Sequence, residues 1–178
     1  MSSCYGSFSY ETEYIEFLAR QKRFGSFGSF YDTTIQTGIH DTVLTMGLNT
    51  ANPWNNGVTV VNGNRITMAN PGVYNLALSA QIVRVAGNAQ THIHIWLSQN
   101  GNDVPFSASQ VGVTNQDNYE IAAWNFFFRT QVANEFVQLR WIITSNVEVN
   151  AVQIRSAIAA PPVPAIPGLI VTVNQVGN

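Results

Sequence analysis

Charge is what this sequence has least of. Only 10% of its 178 residues are Asp, Glu, Lys or Arg, and the formal net charge is −2. An average soluble domain carries about 25% charged residues. No basic stripe is present, so nucleic acid is not an expected partner. A weakly charged surface resists self-association poorly. Much of this one is therefore expected to be covered by other copies or partners, although a solvated β surface rich in Asn and Thr would need no cover. Cysteine is nearly absent. Cys4 alone excludes an internal disulfide and, with no histidine near it in sequence, makes a poor nucleophile. No uninterrupted apolar run approaches the ~18 residues of a membrane helix, and the N-terminus has no basic stretch followed by an apolar one. Neither membrane contact nor a signal peptide is expected, which implies folding in a reducing cytoplasm. A Gly-rich phosphate loop, a zinc-protease motif and a calcium loop are missing as well, so no cofactor is expected.

What the chain does have is apolar residues, 46% of the total, enough for the core of one domain with an arm. Its few charges crowd near the N-terminus, with Glu11, Glu13 and Glu16 before Arg20, Lys22 and Arg23. Acid first and base last suits a helix dipole. Ser9 as cap, Gly25 as terminator and an apolar stripe of Tyr14, Ile15 and Leu18 complete the signature of a short amphipathic helix over residues 10–23. Around it Gly-Ser-Phe occurs three times, at Gly6-Ser7-Phe8, Gly25-Ser26-Phe27 and Gly28-Ser29-Phe30. Glycine and serine keep a backbone mobile, while each ring offers apolar area for burial. Residues 1–32 therefore read as a docking arm using Phe8, Tyr14, Leu18, Phe24, Phe27 and Phe30, or else the rings fold back onto their own domain.

From Thr33 onward short runs of Val, Ile, Thr and aromatics alternate with Asn- and Gly-rich turns. The expected strands are 33–37, 42–48, 57–61, 64–68, 72–84, 91–99, 119–131, 136–144, 147–155 and 168–176. Asn62-Gly63-Asn64 is a strong hairpin signal, and Asn100-Gly101 ends the 91–99 strand. Many strands with no helices between them predict an all-β fold, a two-sheet antiparallel jelly-roll sandwich over 33–178 with a short helical arm before it. Pro161, Pro162, Pro164 and Pro167 exclude a central strand there. The apolar segment Leu169–Val176 reads as a central one, since an exposed edge of that kind would aggregate.

Three groups of residues bear on chemistry. His92 and His94 are one residue apart on a strand, point the same way and are weak candidates for a shared metal, with His40 or Asp41 as third ligand. Paired acid–base work would have to come from Asp103, Asp117, Glu120, Glu135 and Glu148, and nothing in their spacing brings two together. Trp54, Trp96 and Trp124 lie among asparagines, a pattern that suits stacking on sugars but occurs more often in cores and interfaces. Alternation along 91–99 turns Thr91, Ile93, Ile95 and Leu97 inward and presents His92, His94 and Trp96 on an outer contact face.

Several segments together resemble the jelly-roll domain of the C1q and tumour-necrosis-factor superfamily. Gly72-Val73-Tyr74-Asn75-Leu76-Ala77-Leu78-Ser79 is similar to its Gly-x-Tyr strand, and Ile93-His94-Ile95-Trp96-Leu97-Ser98-Gln99-Asn100-Gly101 to the next strand and turn. Asn134-Glu135-Phe136-Val137-Gln138-Leu139-Arg140-Trp141 is similar to the turn and strand after it, with Asn-Glu where Gly-Asp is usual. The resemblance implies a non-enzymatic homotrimer. The interface it implies uses Asn75, Ala77, Ser79 and Gln81 from one strand and Phe136, Gln138 and Arg140 from another, unless those faces are simply solvated. No collagen-like stalk precedes the domain. The tail Pro164-Ala165-Ile166-Pro167-Gly168-Leu169-Ile170-Val171-Thr172-Val173 resembles virion proteins of tailed bacteriophages and large aquatic viruses. The expected role is a virion structural protein on the particle surface, assembled in the host cytoplasm, acting as capsid decoration, knob or fibre head. Its arm would hold other virion proteins, and its outer face a host glycan or receptor. The alternative is a C1q-like carbohydrate-binding module or adhesin.

Overall fold

The computed structural model describes residues 25–86, 91–114, 119–144, 152–155, 158–160 and 162–178. In chain order the strands are β1 (Phe27–Asp32), β2 (Gln36–Thr37), β3 (Leu44–Thr45), β4 (Thr50–Ala51), β5 (Val58–Val61) and β6 (Arg65–Met68). The long strands β7 (Gly72–Arg84) and β8 (Thr91–Gln99) follow, then β9 (Asn102–Asp103), β10 (Ser109–Val113), β11 (Tyr119–Thr130) and β12 (Phe136–Thr144). The chain closes with β13 (Val152–Ile154), β14 (Ile158–Ala160), β15 (Val163–Ile166) and β16 (Leu169–Gly177).

Two antiparallel sheets face one another. The first runs β11–β7–β16–β1–β4, with β13 and β2 continuing beside β7 beyond the end of β16. The second runs β10–β8–β12–β6–β5, with β9 beside β8 and β3 beside β12. The expected all-β sandwich is therefore present, and its core is what strand alternation requires. Tyr74, Leu76, Leu78, Ala80 and Ile82 of β7 meet Ile93, Ile95 and Leu97 of β8 and Val137, Leu139, Trp141 and Ile143 of β12 in one buried cluster. Tyr74 stacks on Phe128 with ring centroids 5.7 Å apart, and its hydroxyl donates to the Asn70 carbonyl at 2.7 Å. Tyr74 thus brings apolar area to the core without an unmet polar atom.

Turn chemistry fixes the register. Asn62 (φ 53°) and Gly63 (φ 71°) link β5 to β6, and Asn100 (φ 50°) and Gly101 (φ 86°) link β8 to β9. Positive φ at both central positions is the hairpin geometry that matches strand twist. Asn134 (φ 65°) takes the left-handed position before β12, while the Glu135 carboxylate accepts from the Gln131 amide at 2.6 Å and the Asn100 side chain at 3.0 Å. The Asn-Glu pair therefore makes a closed turn before β12.

Two expectations are revised. The Gly-Ser-Phe stretch 25–30 was expected to belong to the arm, with the domain starting at residue 33. Instead Phe27–Asp32 is β1, paired with β16 from Gly28↔Val173 to Asp32↔Leu169. Phe30 is 0% exposed, at the heart of the core, and Phe27 is half-buried on the outward side of the strand. A β-carbon at Gly28 would lie 2.7 Å from the Phe30 ring, so this glycine makes room for the ring rather than loosening the chain. The proline-rich connection carries its own two-stranded ribbon, β14–β15. The helix expected over 10–23, with Phe8, Tyr14, Leu18 and Phe24, lies outside the described residues. The last strand is central as expected, since β16 is flanked by β7 and β1.

Candidate functional site

The first sheet turns its other face away from the core. Register lines up rows across it: Phe127 with Asn75 and Asn174, Asn125 with Ala77 and Thr172, Ala123 with Ser79 and Ile170. The centre of the face is small and polar. Its margins are apolar, with Ile121 68% and Phe127 69% exposed on β11 and Ile170 exposed on β16. Asn75 Oδ1 is buried there with no hydrogen-bond partner among the described residues. β11 pairs only with β7 among the described strands, so its other edge offers a long row of unpaired backbone N–H and C=O groups. Natural sheets seldom leave such an edge bare.

This face holds Asn75, Ala77, Ser79 and Gln81, the first part of the interface set drawn from the sequence. It does not hold the second part. Phe136, Gln138 and Arg140 stand on β12 in the second sheet, on the opposite side of the sandwich. The β12 residues contact β6 and neighbouring turns: Arg65 lies 4.7 Å from the centre of the Phe136 ring, Gln138 donates to Asn64 at 3.1 Å, and Arg140 reaches the Gly101 carbonyl at 3.2 Å. Alternation alone tells which residues face away from the core but not which sheet a strand joins. The edge residues Ile121 and Phe127 were missed for the same reason, although their outward phase on β11 was readable.

The outer face of the second sheet carries His92, His94 and Trp96, half-buried, in the outward row. His94 Nε2 lies 3.1 Å from Thr144 Oγ1. Trp96 Nε1 donates to Asp103 Oδ1 at 2.8 Å, and Arg140 Nη1 donates to the same oxygen at 3.1 Å. His40 bridges to Ile143 on the far edge of β12 and pairs with Asp41 at 3.4 Å, so β12 separates it from His92 and His94. Among the described residues no three His, Cys, Asp or Glu side chains converge as metal ligands. Carboxylates considered for acid–base work are committed elsewhere: Asp103 to Trp96 and Arg140, Glu135 to its turn. Glu120 is on the first sheet, and Asp117 and Glu148 lie outside the described residues. Trp124 faces inward against the core, and Trp54 is exposed in the β4–β5 turn, so the three tryptophans considered for sugar stacking form no common platform.

An open cleft of about 1120 Å³ lies where β1 begins and β11 and β16 end. Asn70, Arg129, Gln131, Gln175 and Asn178 line it with one cation and several amides. Among the described residues, the side chains that line it include no carboxylate, imidazole or thiol.

No known protein-family model matches the chain. No curated protein matches it. Solved structures do. Eiger TNF from S. frugiperda matches at 10% identity over 86% of this chain and 94% of that one, with a TM-score of 0.54. Murine APRIL at pH 5.0 matches at 10% identity over 85% and 99%, with a TM-score of 0.51. The globular domain of zebrafish complement 1qA protein is also found, at 6% identity and a TM-score of 0.49. The first two matches, with the strand order above, show the fold: a two-sheet antiparallel jelly roll of the C1q/TNF type.

Proposed function

We propose that the protein is a non-enzymatic structural protein that works as a homotrimer through the outward face of its first sheet, and that it is a surface protein of a virion. One observation carries the trimer. A long unpaired edge strand, β11, exposes Ile121 and Phe127 beside a trough of small residues and amides on β7 and β16. Aromatic ridge and small-residue trough are complementary, so a cyclic arrangement of copies buries both and covers the edge. The resemblance read from the sequence implies the same threefold assembly. The virion role is supported by the low charge and by the likeness of the tail around Gly168 to phage and aquatic-virus proteins. Capsid decoration, knob or fibre head is the form this takes.

Native mass spectrometry of the purified protein tests the assembly, with three chains per particle expected at micromolar concentration. A monomer there overturns it. Peptide mass spectrometry of purified virions tests the location, and absence of the chain from them overturns it. A second reading, a carbohydrate-binding module, is favoured by one observation: Trp96 stands on the outer face with Asp103 and Arg140 fixed beside it. A glycan array on which binding occurs and is lost in Trp96→Ala would move the assignment there.

A further inference from the structure

Asn-Gly occurs three times in the chain, at Asn56-Gly57, Asn62-Gly63 and Asn100-Gly101. The pair has a chemistry of its own. Glycine has no β-carbon to shield its amide nitrogen, so that nitrogen can approach the side-chain carbonyl carbon of the asparagine before it. The attack forms an N–C bond and closes a succinimide ring. The C–N bond of the side-chain amide breaks, and its nitrogen leaves as ammonia with the proton that the glycine amide gave up. Water then adds to either carbonyl of the ring, and opening leaves aspartate or isoaspartate. Water is the only co-reactant. What the step needs is freedom, because the asparagine must turn its side chain and backbone toward the next nitrogen. Hydrogen bonds on either slow it.

The fold treats the three pairs differently. Exposure does not separate them, since Asn56, Asn62 and Asn100 are all exposed. Bonding does. Asn100 is tied at both ends of its side-chain amide: Nδ2 donates to Glu135 Oε1 at 3.0 Å, and Oδ1 accepts from Phe136 N at 3.1 Å. Its own N–H donates to the Phe136 carbonyl at 2.9 Å. Asn56 is held by its backbone, whose N–H donates to Phe27 O at 2.9 Å and whose carbonyl accepts from Phe27 N at 2.8 Å. Gly57 is packed as well, since a β-carbon there would lie 2.6 Å from Ser26 Oγ.

Asn62 has none of these restraints. Among the described residues its side chain makes no hydrogen bond and the Gly63 N–H finds no acceptor. Nothing lies within 4 Å of where a β-carbon of Gly63 would be. The turn itself is closed by a long bond, Asn64 N to Val61 O at 3.3 Å, so it opens locally at small cost. The firm bond nearby, from Leu48 N to Gly63 O at 2.7 Å, holds the peptide after the reacting one.

We infer that Asn62 is a modification site, at which this chain converts spontaneously to isoaspartate and aspartate while Asn56 and Asn100 remain amides. The product adds a negative charge to a chain whose formal net charge is −2. Isoaspartate also adds a backbone carbon at the exposed end of the β5–β6 hairpin. Asn64 in the same turn accepts from Gln138 of β12 at 3.1 Å, so the change reaches the outward face of the second sheet.

The test incubates the full chain at mildly alkaline pH and follows each Asn-Gly peptide by mass spectrometry, with electron-transfer fragmentation to separate isoaspartate from aspartate. Asn62 should convert at least about tenfold faster than Asn56 or Asn100, whose hydrogen bonds must break first. In concentrated guanidinium chloride the three should convert at similar rates, because only the fold distinguishes them. Conversion led by Asn56 or Asn100, no conversion at Asn62, or the same ranking in the unfolded chain would each overturn the inference.

Discussion

Phe127 on β11 lies directly across from Asn75 on β7, and both stand on the side of the sheet that turns away from the core. The ring is 69% exposed while the Asn75 side-chain oxygen is buried and lacks a hydrogen bond among the described residues. An exposed aromatic next to an unsatisfied amide is a poor surface and a good interface centre. Phe127→Glu should therefore convert the proposed trimer to monomers, read as mass by light scattering, while far-UV circular dichroism stays unchanged. Each ring buried contributes about 1.5–3 kcal/mol, and introduced carboxylates would repel one another. An unchanged mass would show that copies meet elsewhere.

The strand β1 gives a sharper test of where the domain starts. Phe30→Ala empties a fully buried site and should cost about 3–5 kcal/mol in denaturant unfolding. Deleting residues 1–32 removes the strand between β16 and β4, exposes the apolar edge of β16, and should give an insoluble or unfolded product. A soluble, cooperatively folded truncation would restore the view that these residues form a detachable arm.

Gly168 sits where two backbones nearly touch. A β-carbon there would be 1.6 Å from the Arg155 carbonyl oxygen, and the residue is held by bonds from its N–H to Asp32 O and from Gln81 N–H to its own carbonyl. Gly168→Ala must displace main chain and should destabilise by at least about 2 kcal/mol. Gly63→Ala is the comparison: it has open space around it but φ +71°, so it should cost only about 1 kcal/mol from the backbone conformation. Thermal unfolding of the pair checks the ranking, and equal losses would contradict the crowding argument.

Asp103 holds Trp96 and Arg140 at once, yet all three are partly exposed. Solvent screening keeps such a network weak, so Asp103→Ala should cost no more than about 1 kcal/mol. Its clearer effect should be on fluorescence, with the indole losing its acceptor. A loss of several kcal/mol would mark the cluster as a structural pillar instead of a contact surface.

Much of the fold was legible because β alternation and turn chemistry are local. Asn62-Gly63 and Asn100-Gly101 announce their hairpins, and the inward row Thr91, Ile93, Ile95 and Leu97 follows from period two alone. The role of β16 as a central strand followed from its apolar content. The candidate site was only half legible. Asn75, Ala77, Ser79 and Gln81 share the outward face of the first sheet, while Phe136, Gln138 and Arg140, grouped with them from the sequence, stand on the outward face of the second.

The sequence by itself determined which residues are apolar, which side of each strand they occupy and where the chain turns, since each depends on neighbours a few positions away. Tertiary structure decided what depends on distant pairing: that Gly-Ser-Phe at 28–30 becomes a core strand once β16 supplies its hydrogen bonds, that β12 and β7 belong to different sheets, and that β11 ends the first sheet among the described strands, with Ile121 and Phe127 exposed. The physical reason is that hydrogen bonds between strands join residues far apart in the chain, so local pattern carries the face of a residue but not the partner of its strand.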